Sequence, residues 1–336
     1  MEAALYEPQF GYYHRRDLQR WGREADYRTS AERSELFAAT FARYFASLYE
    51  ELGRPAQWRI VEGGAGDGRF ALNVLRSLAE EHPRVFAATR YCLDEVSEDS
   101  LQRARERLVE FADAVSYDLD EDLETGIYFS NELLDAFPVH RVTKDGELYV
   151  TLDNSDNFAW KVGPFSKPPL AERALSLGEG QVVEVNLEVD DWFAGVAEKM
   201  KHGYVVTVDY GAEEDELYDA VLRPNDAVLR PSGTLRAFSR HEFVDDVLAA
   251  PGEYDITSSV NWTQVKHAGE RCGFAVVEFA RQDKFLLSAG LLDVLDHRLT
   301  RVESEADRVR FTTDAREMIL PGGMASSFQV LVQKRG

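Results

Sequence analysis

Apolar residues in this chain recur at two spacings. Phe37, Phe41, Tyr44, Phe45, Leu48 and Leu52 lie three or four positions apart, the period of a helix with one buried face. Gly53 and Pro55 stop that helix, and Thr29-Ser30-Ala31-Glu32 has the form of a capping box before it. Residues 1–28 are rich in aromatics and arginine and broken by Gly11 and Gly22, and they read as an ordered segment other than a helix. A short apolar run from Trp58 to Val61 predicts a strand, followed by the turn Glu62-Gly63-Gly64-Ala65-Gly66-Asp67-Gly68. Ala71, Val74, Leu75 and Leu78 then mark a helix face that His82-Pro83 closes. Residues 90–93 predict a second strand, and residues 127–130 another. Between them Ser97 is a good N-cap, Glu98 and Asp99 suit the positive helix end, and Leu101, Ala104, Leu108 and Phe111 continue the helix. Strands alternating with helices predict a parallel sheet covered on both faces, a doubly wound α/β fold.

The second half is less regular. Residues 181–185 predict a strand, residues 189–200 a helix, and residues 204–208 a very apolar strand ending at Asp209-Tyr210-Gly211. Runs at 274–279 and 328–332 suit an antiparallel edge of the same sheet, with a mainly helical insertion over 285–320 between them. The expected division is an N-terminal segment and helix (1–57), a first half of the core (58–138), an insertion (139–180), a second half (181–211), an acceptor-side loop region (212–257) and C-terminal core strands (258–336). Asp145-Gly146 between two β-like runs signals a hairpin inside the insertion. Residues 212–257, rich in turn formers and acids, read as a long loop of the kind that binds substrates.

Composition narrows the classes. With 336 residues, one core with large insertions or two domains are expected. Lys and Arg number 38 against 60 Asp and Glu, a formal charge of −22 with acidic clusters at 118–124 and 213–216. That disfavours nucleic acid and favours a basic protein segment or a cationic small molecule as partner. No apolar run is long enough for a transmembrane helix, and the N-terminus lacks the apolar stretch of a secretory signal. Two cysteines, Cys92 and Cys272, without ligand-spaced neighbours predict neither a zinc site nor a disulfide framework, which suits a reducing compartment.

The glycine turn holds the candidate chemistry. It joins a strand to a helix, where open α/β sheets bind ligands, and glycine lets a ligand lie against backbone. Gly64-Ala65-Gly66 is followed by Asp67-Gly68, so the third glycine falls one place early for a dinucleotide fingerprint. Glu62 and Asp67 would repel a pyrophosphate by roughly 1–4 kcal/mol per close pair. They favour S-adenosylmethionine, which carries a sulfonium and an ammonium. Glu95, in preference to Asp94, closes the second strand where an acid bonds ribose hydroxyls. Asp118 is a candidate for the adenine edge. Asn131, Glu132 and Asp135 follow the fourth strand of the core. Glu132 and Asp135 are three apart, so a helical turn would point both the same way. Glu132 is expected to orient the acceptor, Asp135 to support it or take a proton, and Asn131 to bond cofactor or acceptor; alternatively Asn131 and Asp135 cap the turn. His241 is a candidate base, although a lone histidine is more often structural. No nucleophile elbow, His-Glu-x-x-His or P-loop is present.

These motifs resemble the MidA-type family, the S-adenosylmethionine-dependent methyltransferases related to the mitochondrial complex I assembly arginine methyltransferase. The similarity runs through Phe10-Gly11-Tyr12-Tyr13, Asp26-Tyr27-Arg28-Thr29-Ser30, the glycine turn, Tyr91 to Ser97 with Glu95, and Asn131-Glu132-Leu133-Leu134-Asp135-Ala136-Phe137-Pro138-Val139. It continues through Asp209-Tyr210-Gly211, Gly233-Thr234-Leu235-Arg236, His241, Pro251-Gly252, Asp255-Ile256-Thr257 and Pro321-Gly322-Gly323-Met324. The chain departs from the family pattern at Ala65 and Ala31, where proline is frequent, and at Ala25-Asp26-Tyr27 in place of Gly-Asp-Phe. The resemblance implies a class I, Rossmann-like methyltransferase sheet with large insertions and a helical cap. It also implies S-adenosylmethionine as cofactor, with Thr29 and Ser30 among the cofactor-binding residues, and a protein acceptor such as an arginine. The rival readings are a non-catalytic cofactor-binding scaffold and an NAD-dependent oxidoreductase. No metal, membrane or nucleic-acid partner is expected, a homodimer is kept open, and the expected compartment is the cytoplasm, or the mitochondrial matrix in a eukaryote.

Overall fold

A computed structural model describes residues 1–15, 34–117, 124–218, 233–239, 242–244, 246–320 and 327–336. In chain order the strands are β1 (Trp58–Gly63), β2 (Thr89–Asp94), β3 (Val115–Ser116), β4 (Thr125–Asn131), β5 (His140–Thr143), β6 (Gly146–Leu152), β7 (Phe158–Gly163) and β8 (Val182–Val185). They continue with β9 (His202–Ala212), β10 (Arg236–Ser239), β11 (Glu242–Val244), β12 (Asp255–Thr257), β13 (Val260–Asn261), β14 (Ala275–Arg281) and β15 (Phe328–Arg335). The chain divides into two compact units. One takes the described residues within Met1–Tyr27, Leu134–Trp192 and Gly211–Ala268; the other takes those within Arg28–Leu133, Phe193–Tyr210 and Gly269–Gly336.

The second of these units, the core unit, holds the sheet that the alternating pattern predicts. Its order is β14-β15-β9-β4-β1-β2-β3. Strands β3, β2, β1, β4 and β9 run parallel, and β15 lies antiparallel between β9 and β14, so the two late apolar runs do form an antiparallel edge. Strand β1 pairs with both β2 and β4, and the strand order reverses there, the switch point at which ligands enter such sheets. The helix Glu35–Glu51 buries Phe37, Phe41 and Phe45 in a core that includes Phe70 and Phe129, whose rings stack 4.5 Å apart. The cap of that helix is Ser34, whose hydroxyl accepts from the Leu36 amide; the Thr29–Glu32 box lies outside the described residues. Ser34→Ala should lower the unfolding free energy by about 1 kcal/mol, read from denaturant melts with an unchanged slope.

Several expectations change. Pro83 closes one helix and opens another, Pro83–Ala88, because proline lacks only a donor that a first turn leaves unpaired anyway. The helical insertion read over 285–320 consists of the helices Gln282–Ser288, Leu291–Arg301 and Glu305–Ile319, and it packs into the core. Phe285, Leu286, Leu291, Val294, Phe311, Ala315 and Met318 belong to the main core.

In the other unit, the segment read as non-helical opens with the short helix Glu2–Tyr6. The Asp145-Gly146 hairpin is present as β5–β6. Residues 182–185, expected in the core sheet, instead pair with β5 in a four-stranded antiparallel sheet of order β7-β6-β5-β8. The region read as a long loop contains the three-stranded sheet β11-β10-β12. Among the described residues no helix is long and apolar enough to cross a membrane.

Candidate active site

The site lies in the core unit, around the carboxyl ends of β1, β2 and β4. The turn after β1 is built on backbone. Gly64, Gly66 and Gly68 all take positive φ, at 67°, 54° and 74°. Gly68 occupies the N-cap of the helix Arg69–Glu81, where a Cβ would stand 2.9 Å from that of Ala104. A Cβ on Gly63 would stand 2.7 Å from the Tyr128 hydroxyl. The amides of Gly64 and Ala65 donate to the Asp94 carbonyl, pinning the turn to β2.

The carboxylates divide by task. Glu62 is 5% exposed, and Tyr91 donates its hydroxyl to it at 2.7 Å. Burial pushes the Glu62 carboxyl up to about 8; Asp67 and Glu95 push the same way, and the Tyr91 bond opposes them. Glu95 accepts from the Gly66 amide at 2.8 Å and, through its other oxygen, from the Ser97 amide at 2.8 Å. Asp94 turns away and accepts from the Tyr128 hydroxyl at 2.6 Å. The carboxylate that reaches the glycine turn is therefore Glu95's. Asp67 differs from its reading as a cofactor-side charge. It is buried, and Arg107 pairs with its carboxylate and donates to its carbonyl at 2.9 Å. Its charge is already answered, so repulsion toward a pyrophosphate rests on Glu95, joined by Glu62 only where its raised carboxyl ionises.

At the end of β4, the Asn131 amide donates to Glu132 at 3.1 Å, while its buried Oδ1 has no hydrogen-bond partner. Ser130 and Thr207, register partners on β4 and β9, also carry buried hydroxyls without partners. Buried polar atoms left this way call for a water or a ligand. Glu132 sits at φ 53°, a left-handed conformation that L residues avoid, and its amide donates to the Val208 carbonyl at 2.9 Å. The helical turn expected to align Glu132 with Asp135 is thus absent; Leu134–Ala136 is a short 3-10 turn that starts after the kink. Asp135 is buried in the other unit, its carbonyl accepting from the Ser258 amide. Thr29, Ser30, Asp118 and His241 lie outside the described residues. Sequence reasoning missed Tyr91, Tyr128 and Arg107, all residue types that equally suit ordinary core or surface positions.

A family model described as "Putative S-adenosyl-L-methionine-dependent methyltransferase" matches residues 40–280. The crystal structure of a Burkholderia thailandensis protein bound to S-adenosyl-homocysteine is 30% identical, with a TM-score of 0.87 over 99% of this chain and 86% of that one. A native crystal structure from the same organism gives 29% and 0.83, over 99% and 85%. The Drosophila melanogaster mitochondrial "Protein arginine methyltransferase NDUFAF7 homolog" is 26% identical over 81% of this chain, and the Rattus norvegicus protein is 25% identical over 80%. This chain spans 66% and 65% of the lengths of those two relatives.

Proposed function

The chain belongs to that S-adenosyl-L-methionine-dependent methyltransferase family, and we propose that it binds this cofactor at the β1 turn and methylates a protein acceptor, an arginine side chain. The observation that carries the reading is the junction of a bare, positive-φ backbone turn, two carboxylates and an unpartnered amide oxygen at one switch point. When bound, the cofactor supplies a methyl group on a cationic sulfur. The residues present fit such a group. The Glu62 carboxylate, buried and held by Tyr91, offers a counter-charge for an ammonium. Glu95 offers oxygens to ribose hydroxyls while keeping the Gly66 amide in place. The Asn131 Oδ1 takes a donor from the ligand. Glycines 63, 64, 66 and 68, with Ala65, leave the backbone open to close approach, and Asp67 holds the turn through Arg107.

On the acceptor side, Glu132 orients a guanidinium, whose fork of N–H donors matches a carboxylate. A guanidinium that gains a methyl group sheds one proton, and a carboxylate is the base this end of the sheet offers. Asp135 supports the turn or takes the proton. For the residues outside the described set, Thr29, Ser30 and Asp118 keep their proposed place at the cofactor, and His241 its place as a base. The names of the relatives support the arginine acceptor and, in saying "mitochondrial", a mitochondrial compartment; the reducing compartment, the cytoplasm or the mitochondrial matrix, is our reading of two cysteines without ligand-spaced neighbours.

Calorimetric titration with S-adenosyl-L-methionine and, separately, NAD tests the cofactor. Saturable heat is expected from the first alone; binding of NAD alone would favour an oxidoreductase. Labelled cofactor incubated with a cell lysate tests turnover. Labelled methylarginine in protein hydrolysates is expected, whereas a scaffold would label nothing.

A further inference from the structure

Tyr91 carries a polar atom into an apolar interior. Its ring is wholly buried in the main core, on β2, with Ile60 of β1 and Val115 of β3 as its register partners. Phenylalanine would fill that space, and burying a hydroxyl without a partner costs about 1–3 kcal/mol. The hydroxyl donates to Oε2 of Glu62 at 2.7 Å, which leaves Oε1 for a ligand. Burial, and then Glu62, push the ionisation of the phenol well above a tyrosine's ordinary value, so Tyr91 keeps its proton and stays a donor. A donor bonds a carboxylate more strongly than a protonated carboxyl, so the bond favours the charged form of Glu62. The rest of the surroundings oppose that charge. Glu62 is buried, with the acids Asp67 in the turn and Glu95 beyond β2 acting on it, the first already paired with Arg107. From β4 its register partner is Phe129, which brings no charge.

On the reading that places Glu62 at the cofactor, we propose that Tyr91 is a positioning residue of the methyltransferase: it holds Glu62 oriented and charged for the cofactor's ammonium, and so sets how far into acid the cofactor still binds. Tyr91 acts through Glu62 alone. A tyrosine that only filled the core would matter equally whichever group stood at position 62.

Tyr91→Phe tests this, because it removes one oxygen and keeps the ring. At pH 7, calorimetry should give a Kd for S-adenosyl-L-methionine about tenfold weaker than the parent's. Between pH 6 and 8 the two profiles should run parallel, with the variant's displaced toward alkali. In a Glu62→Gln background the same substitution should change Kd by less than about threefold, since no charge is left to hold. That double variant buries no charge, and it should keep the parent's circular dichroism spectrum even where Tyr91→Phe alone loses stability at high pH. Carbon-13 NMR of ligand-free protein labelled in its glutamate carboxyls reads Glu62 itself. The signal that Glu62→Gln abolishes should titrate at higher pH in Tyr91→Phe than in the parent. An unmoved titration, or an equal loss of affinity in both backgrounds, overturns the role of Tyr91 and leaves Glu62 at the cofactor. A titration that moves while every variant, Glu62→Gln included, binds as the parent does removes Glu62 from the cofactor site, and the role of Tyr91 falls with it.

Discussion

Glu62→Gln should melt at a higher temperature than the parent chain at pH 9, and at pH 8 it should bind S-adenosyl-L-methionine at least tenfold more weakly. The two effects share one cause. Glu62 is buried, and its carboxyl is pushed up from 4.5 to about 8. A group whose pKa rises on folding binds its proton more tightly in the folded state. Its stabilising contribution is full below about pH 4.5 and is lost as pH rises through about 8. Above that window the parent must bury a charge, at a cost of up to roughly 5 kcal/mol. Glutamine keeps the shape and can still accept from Tyr91, but carries no charge to bury. The Tm difference should therefore shrink toward zero near pH 5. Binding runs the other way, because an ammonium needs the ionised carboxylate. Between pH 6 and 8 the parent's Kd should rise about tenfold for each unit of acidification, as the binding step must expel a proton, while the variant's Kd stays flat. Calorimetry in buffers of different ionisation heat reads the released proton directly. A variant that binds as tightly as the parent, or an equally flat parent profile, would remove Glu62 from the cofactor site.

Much of this site was legible because backbone geometry constrains composition. Turn positions at positive φ want glycine, and Gly64, Gly66 and Gly68 announce themselves. The preference for Glu95 over Asp94 also follows from position, since Glu95 lies one residue beyond β2, where its longer side chain reaches Gly66. What stayed hidden depends on distant partners. Arg107 lies 40 residues from Asp67, and nothing local says that its guanidinium neutralises that carboxylate. Residues 182–185 form a short apolar run that fits any sheet, and only the pairing with β5 assigns it. The region 212–257 is dense in turn formers because its strands are short, so it reads as loop. A left-handed glutamate has no compositional signature at all.

That glutamate supports the second large prediction. Glu132→Gly should leave the chain as stable as the parent or up to about 1 kcal/mol more stable, yet lower methyl transfer by roughly a hundredfold or more. At φ 53° a residue with a Cβ carries strain of about 1–2 kcal/mol, which glycine relieves at an entropic cost of about 0.5–1 kcal/mol. Most substitutions at a merely structural position destabilise, so a neutral or favourable change says the side chain is kept for another reason. The kink makes that reason concrete. It lifts the Glu132 carboxylate out of the strand's alternation, while the Glu132 amide stays bound to the Val208 carbonyl and the Asn131 amide holds the carboxylate from behind. A carboxylate fixed this way pre-pays the orientation of an incoming guanidinium, and losing it costs rate more than cofactor affinity. The expected pattern is an unchanged Kd for S-adenosyl-L-methionine, a raised KM for the acceptor and a lowered kcat. Glu132→Gln should keep the strain and the Asn131 contact but lose the charge, giving parental stability with the same loss of turnover. If Glu132→Gly methylates as well as the parent, the acceptor is oriented elsewhere. If it is destabilised by more than about 1 kcal/mol, the strained glutamate holds the end of β4 together rather than serving the reaction.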